Sequence, residues 1–324
     1  MGLESLPAAV DDPSSPDAGV VWTPSVEFDE DEWFCPAVFR AAYNESIARG
    51  RDRMARSRVV ICGIARDLGE PLRWNLPRIR RIAEPFRDAR FVFYENDSVD
   101  DTRERLEAWA REDPRVSVLS ERLGAPRWGS VPDPARARDL AACREKVRRH
   151  AVREAGDFDF AIVLDPDLCG FSYDGIAHSL GQDDWDALGA NGLAPRWGRP
   201  IYWDTWAFRA LGHPDVHGSL EVSLMVLPRG APLLPVLSCF GGLALYRMAA
   251  FAAAAYGGDE CEHVTLHKRM CLAGYPRVFL NPSLIVLYPD HLLSHDVRRP
   301  FWWRKRASSS AMAATGPEER GRRA

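Results

Sequence analysis

The segment Phe158-Asp159-Phe160-Ala161-Ile162-Val163-Leu164-Asp165-Pro166-Asp167 decides how this chain is read. Its apolar, partly β-branched run reads as a buried strand, and it breaks directly on two aspartates that flank a proline. Carboxylates on alternate residues just past a buried strand can grip one hard divalent cation, directly or through water. Such a cation bridges diphosphate oxygens and offsets the charge that grows on a leaving group. A bare D-x-D also arises as a simple loop cap. It is the strand immediately before it that gives Asp165 and Asp167 a metal-binding and catalytic reading.

The sequence upstream repeats the same theme. Arg58 to Ile64 (RVVICGI) is a second apolar, β-branched run, and Asn75 to Phe86 carries Leu76, Ile79, Ile82 and Phe86 at helical spacing. Arg90 to Tyr94 is another strand, stopped by the polar loop Glu95-Asn96-Asp97-Ser98. Thr102 to Glu112 follows as a helix with Asp100 and Asp101 at its start, where the helix dipole favours anions. Val116 to Leu119 is a short strand, Gly124 to Pro134 a loop, and Asp139 to Glu154 a strongly basic helix. Strands alternating with helices predict an α/β fold with a mostly parallel central sheet flanked by helices. In such sheets ligands bind beyond the carboxyl ends of strands. Arg66-Asp67, Glu95-Asn96-Asp97 and Asp165 to Asp167 all fall at such ends, which makes Arg66, Glu95, Asp97 and Asp165 candidates for holding a ligand.

The second half is less regular. Leu220 to Leu227 reads as a strand, Phe240 to Tyr256 as an apolar core helix, and a further helix starts near Val264. Trp197, Tyr202, Trp203 and Trp206 cluster closely. Aromatic faces suit sugars, but at that density most pack a core. Trp203 and Asp204 are the candidate sugar contacts, because a buried, unpaired Asp204 would be costly. No repeat or linker appears. The organisation expected is a disordered segment over 1–20, a single domain over 21–303 and a disordered tail over 304–324.

The 324 residues are 46% hydrophobic and 27% charged, ordinary for a globular chain, with a formal net charge of −4. That balance gives no electrostatic case for nucleic acid or anionic membrane. The seven cysteines form no C-x-x-C pair, so neither a zinc site nor a disulfide framework is suggested, and a reduced, cytoplasmic setting is expected. No run approaches the roughly 18 uncharged apolar residues a spanning helix needs. Any membrane contact would be peripheral.

A family likeness appears once the motifs are set in order. FYENDSVDDT (Phe93 to Thr102) resembles the E-N-x-S-x-D-x-T loop of GT-A glycosyltransferases. WDTWAFR (Trp203 to Arg209), SCFGGLALY (Ser238 to Tyr246) and Cys261-Glu262-His263 extend the likeness. Together they resemble the fungal capsule-associated α-1,3-mannosyltransferase family and its bacterial and viral relatives, over roughly Val59 to His295. The resemblance implies the GT-A fold, a GDP- or UDP-linked nucleotide-sugar donor, a saccharide or glycoconjugate hydroxyl acceptor, and Mn2+ or Mg2+ as cofactor. It implies that Glu95 and Asp97 lie beside the nucleotide and that Arg144, in Ala142-Cys143-Arg144-Glu145-Lys146, lies near the diphosphate. Glu145 stands where that family has Asn. The neighbouring Arg138, Lys146, Arg148 and Arg149 read as a solvated face. Gly241, Gly242 and His263 fall in motifs implied to contact substrate. Glu262 stands where inverting members keep a catalytic base, and in a retaining enzyme it would only orient the acceptor. His263 and His267 have zinc-like spacing without a convincing third ligand. His291, with His295 as the alternative, is the implied C-terminal metal ligand.

The function expected is metal-dependent transfer of a hexose to a saccharide hydroxyl, with GDP-mannose placed ahead of UDP-sugars as donor. Two alternatives come from other classes. A haloacid-dehalogenase-type phosphatase also opens on a strand and D-x-D, but that motif lies near its domain's start and continues differently. A catalytically silent sugar-nucleotide binding protein would share the metal pair. The Gly-rich loop of a nucleotidyltransferase is absent from CGIARDLGE.

Overall fold

The computed structural model describes residues 35–129, 132–196, 199–214, 218–225 and 227–288. In chain order the elements are α1 (Ala37–Met54), β1 (Arg58–Ala65), α2 (Gly69–Ala83), β2 (Asp88–Asn96), α3 (Thr102–Glu112), β3 (Val116–Glu121), α4 (Pro134–Ala155) and β4 (Phe160–Leu164). They continue with β5 (Gly170–Phe171), α5 (Tyr173–Leu180), β6 (Ala187–Arg196), β7 (Arg199–Tyr202), β8 (Arg209–Ala210), α6 (Leu220–Ser223) and β9 (Leu234–Ser238). Last come β10 (Leu243–Arg247), α7 (Met248–Ala253), α8 (Glu262–Leu272) and β11 (Val278–Leu287).

The strands pair in the order β3-β2-β1-β4-β10-β6-β11-β9-β8, with β5 on β11 and β7 on β6. β3, β2, β1 and β4 are mutually parallel. β10 runs antiparallel between β4 and β6, β6 and β11 are parallel again, and β9 runs against both β11 and β8. Along this path only β10 and β9 oppose the common direction. The expected α/β fold, a mostly parallel central sheet flanked by helices, is borne out.

Alternating side chains divide the core into two layers, as the pleat requires. Val59, Ile61, Phe91 and Phe93 face a layer closed by α1, α2, α3 and α5. Val60, Cys62, Val92 and Tyr94 face a second layer under α4, α7 and α8. A strand covered on both faces reads as a nearly continuous apolar run, and RVVICGIA is one.

Two expectations are corrected. The described residues of the expected strand from Leu220 to Leu227 form none: Ser219 accepts a hydrogen bond from the Val222 amide and starts the short helix α6 instead. Phe240 to Tyr256 is not one helix. Its Ala- and Leu-rich start, Leu243–Arg247, is the sheet's central antiparallel strand, and helix begins only at Met248. The neighbours β4 and β6 on either side override the local preference. The arginine-rich face of α4 also departs from expectation. Arg148 is buried and donates to Glu145 and to the carbonyls of Phe251 and Ala252, whereas Arg149 stays exposed. No helix among the described residues is long and apolar enough to cross a membrane.

Candidate active site

The carboxyl ends of β1, β2 and β4 open into one cleft of about 470 Å3. Its far wall comes from the loop after β3, the first half of α4, the start of α8 and the segment around Trp206. Asp165 and Asp167 sit on its floor, half-buried, in the turn that follows β4.

That turn is held from both sides. Buried Asn75 of α2 donates through Nδ2 to the carbonyls of Pro166 (2.7 Å) and Leu168 (2.8 Å). From the other side the Asp165 amide donates to the Gly242 carbonyl at 2.9 Å. Gly241 and Gly242 have φ of 68° and 85°, a left-handed conformation that favours glycine. A Cβ on Gly241 would fall 2.1 Å from the Ala190 carbonyl oxygen, so no side chain fits there.

Arg144 organises the charges. It is buried in α4, donates from Nη2 to Asp165 Oδ1 (2.8 Å) and from Nε to Glu262 Oε1 (3.1 Å), and lies over the Phe240 ring at 5.0 Å. Asp167 has no such partner among the described side chains. Burial, then the charge of Asp165, pushes its carboxyl up to about 7. Asp204 is likewise raised, to about 6, first by burial; its oxygens accept from the Gly241 amide (2.9 Å) and the Ala207 amide (3.4 Å).

The structure brings Arg66, Arg144, Asp165, Asp167, Asp204, Glu262 and His263 together around this cleft. The other described candidates stand behind it. Arg66 reaches the cleft but also donates to the carbonyls of Ala125 and Pro126, both at 2.8 Å, tying down the loop after β3. Asp97 braces the same loop: φ is 55°, and its carboxylate accepts from the amides of Leu123, Gly124 and Ala125. The Asn96 amide and these three N–H groups hold the Asp97 carboxyl down to about 2. Glu95 is buried and accepts from the Ser98 amide and the Ser120 hydroxyl. Trp203 packs on the core beside Tyr288, and Gly241 and Gly242 form the turn already described. His291, His295 and Trp197 lie outside the described residues, as do the termini expected to be disordered.

Sequence reasoning missed several lining groups: Asn96, Trp128, Arg136, Asp139, Lys146, Trp206. Asn96 was in view inside a quoted motif, and Trp206 inside WDTWAFR. The rest depend on how the loop after β3 folds against α4, where Trp128 Nε1 donates to Asp139 at 2.8 Å and Arg127 pairs with Asp67 at 3.0 Å.

The chemistry of this donor set suits a hard cation. Asp165 and Asp167 offer oxygen ligands only, and no group of three or more His, Cys, Asp or Glu able to hold a metal forms among the described residues. Two carboxylates leave most of a coordination sphere to water and to a ligand's own oxygens, the pattern of a Mg2+-like site that binds substrate phosphates.

No protein-family model matches the sequence, and no curated protein matches it. Among solved structures the chain is similar to the mannosyltransferase PcManGT from Pyrobaculum calidifontis in complex with GDP-Man and Mn2+. That likeness has 13% identity and a TM-score of 0.44, over 86% of this chain and 75% of that one. It is similar to the 1–349 segment of S. aureus TarS in complex with UDP-GlcNAc, at 11% identity and a TM-score of 0.43, over 71% of this chain and 58% of that one. It is also similar to GalNAc-T7 with UDP, GalNAc and Mn2+, at 12% identity and a TM-score of 0.42, over 72% of this chain and 44% of that one. The chain thus spans less than two thirds of the last two. At these scores the likenesses carry no argument about chemistry, which rests on the cleft itself.

Proposed function

We propose that this chain is a metal-dependent glycosyltransferase of the GT-A type, moving a hexose from a nucleoside-diphosphate sugar to a saccharide hydroxyl. One observation carries the reading: two carboxylates on alternate residues, one tied to a buried arginine and one with no side-chain partner among the described residues, at the carboxyl end of a central parallel strand, in a cleft large enough for a ligand of that kind. Asp165 and Asp167 would hold Mn2+ or Mg2+, with His291 as a further ligand from outside the described residues. The cation, when bound, supplies charge neutralisation to the departing diphosphate.

The chain's own groups have separable tasks. Arg144 orients Asp165 and balances the charge of Glu262 beneath the floor. Lys146 and Asn96 line the β2 side, where phosphate and nucleoside would sit, and Arg136 lies over the Trp206 ring at 5.0 Å on the far wall. Glu262, His263 and Asp204 line the opposite side, where the acceptor hydroxyl would approach. Glu95 and Asp97 act there by fixing the nucleotide-side loops. GDP-mannose stands ahead of UDP-sugars as donor, by the resemblance of its motifs to the mannosyltransferase family.

The test is release of nucleoside diphosphate from GDP-mannose, UDP-glucose and UDP-GlcNAc, with Mn2+ or with chelator. Asp167→Ala should retain its fold and lose metal-dependent release by at least about a hundredfold, since the charge stabilisation it supports is worth several kcal/mol. Full activity in that variant contradicts the proposal.

A further inference from the structure

An ion pair lines the cleft away from its metal end. Arg127 Nη2, on the loop after β3, stands 3.0 Å from Asp67 Oδ2, just past β1. The two side chains are 56% and 27% exposed, so a ligand can reach both. Asp67 is firmly set. Its φ is 54°, a left-handed conformation sparse among residues with a side chain. Its amide donates to the Ser98 hydroxyl at 3.1 Å, and its Oδ1 accepts from the Val99 amide at 2.9 Å.

Fixing the loop after β3 does not require this pair. Arg66 already binds two carbonyls of that loop and Asp97 three of its amides, and an exposed ion pair adds little stability. Its place along the sheet is more telling. β1 neighbours β4, and β2 and β3 follow at about 4.8 Å per strand. With its diphosphate at Asp165 and Asp167, a nucleotide extending along the strand ends towards β2 brings its base to the loop after β3. Trp128, next in sequence and held by Asp139, adds an indole to the same wall. Stacking on an indole strengthens the binding of any base without choosing among them. Choice has to come from the pair.

The hydrogen-bonding pattern of the pair is selective. Asp67 presents acceptor oxygens, and the Arg127 guanidinium beside it presents a fork of donors. Each has capacity beyond its present contacts, since a carboxylate accepts about four hydrogen bonds and a guanidinium donates about five. Along one edge guanine offers N2–H and N1–H as donors, then O6 and N7 as acceptors. It therefore meets carboxylate and guanidinium with all four groups. Uracil alternates acceptor, donor, acceptor, and so does adenine. Either base sets at least one group of the pair against its like.

We propose that Asp67 and Arg127 read the base of the donor and select guanine, Asp67 accepting from N1–H and N2–H while Arg127 donates to O6 and N7. This rests on the cleft being a nucleotide-sugar site, and it makes the donor GDP-linked on grounds independent of any motif.

The experiment is calorimetric titration of the whole chain with GDP, UDP, inosine diphosphate and xanthosine diphosphate in Mn2+. Inosine lacks the 2-amino group of guanosine, and xanthosine carries an oxygen in its place. The parent should bind GDP at least about tenfold more tightly than UDP and about fivefold more tightly than inosine diphosphate. In Asp67→Asn the new amide can donate to the xanthine oxygen. GDP should then weaken by about tenfold or more, xanthosine diphosphate should become the tighter of the two, and UDP should stay within about threefold of its parental value. A pair that only pinned the loop would shift all four nucleotides together. The comparison of GDP, UDP and inosine diphosphate on the parent stands even where the variant is unstable. Parental affinities within about threefold of one another, UDP as the tightest ligand, or an Asp67→Asn variant that still prefers GDP to xanthosine diphosphate overturns the inference and leaves the glycosyltransferase reading standing. A parent that binds none of the four in Mn2+ overturns that reading, and this inference with it.

Discussion

Asn75 is a residue whose importance is invisible in isolation. It occupies a buried position on α2, yet its amide joins two carbonyls of the Asp165–Leu168 turn. Asn75→Ala leaves both carbonyls without that donor and should cost about 2 kcal/mol, measurable by urea denaturation. It should also weaken Mn2+ binding without touching a ligand, because the turn it releases carries both carboxylates. A stability loss with unchanged Mn2+ affinity would mean that the turn holds its shape unaided. The pairing of Asp165 with Arg144 is equally non-local, joining α4 to β4 at 2.8 Å. The family resemblance singles out Arg144 on a basic helix, but its pairing with Asp165 and Glu262 emerges only from the packing of α4 over the sheet.

Elements explain what could be read beforehand and what could not. β1, β2 and β4 were legible because strands buried on both faces are nearly unbroken apolar runs. α4 was legible as a basic helix over Asp139 to Glu154, but it starts earlier, at Pro134, where Asp133 caps the amides of Ala135 and Arg136 and proline takes the first position. α1 was not legible. Its buried face is Tyr43, Ser46, Ile47, Gly50 and Met54, and two of those five are too small or polar to mark an apolar stripe. α2 begins at Gly69, earlier than its periodicity suggests, because its first amides are satisfied by Thr102 and Asp100 from a distant loop. β10 was hidden by helix-favouring alanines and leucines. α8 yields a pH prediction. Burial lowers the His267 pKa to about 3, so below its ordinary value near 6.5 the unfolded chain takes up a proton that the folded chain refuses. Stability linked to His267 is therefore full above that value and declines, by about 1.4 kcal/mol per pH unit, as pH falls towards 3. His267→Asn removes this loss. The variant should be less stable than the parent at pH 7.5, and the gap should narrow steadily between pH 6.5 and 4.5. The raised carboxyls of Asp167 and Asp204 act in the opposite sense, but equally in both proteins, so they cancel in the comparison. A constant gap across that range would show that the ring is protonated in place.

At the scale of the whole molecule, a continuous sheet sets β1, β2 and β4 side by side, so that their polar ends converge on one cleft while α4 and α8 close it from the other side. That convergence was foreseeable from the positions of Arg66, Asp97 and Asp165 just past strand ends. The division of labour was not, because Asp97 turned out to face a loop and Lys146 and Trp206 came to the cleft through packing. The central claim is that Asp165 and Asp167 bind a cation that in turn carries a nucleoside diphosphate. Melting curves of the parent and of Asp165→Ala, with GDP or UDP in Mn2+ or in EDTA, test it most directly. At a hundredfold excess over Kd, binding stabilises the folded state by about 2.7 kcal/mol, roughly 5 °C for a chain of this size. The account predicts that rise in the parent only when Mn2+ and nucleotide are both present, and its absence in the variant; a nucleotide-induced rise that persists in EDTA, or in Asp165→Ala, would contradict it.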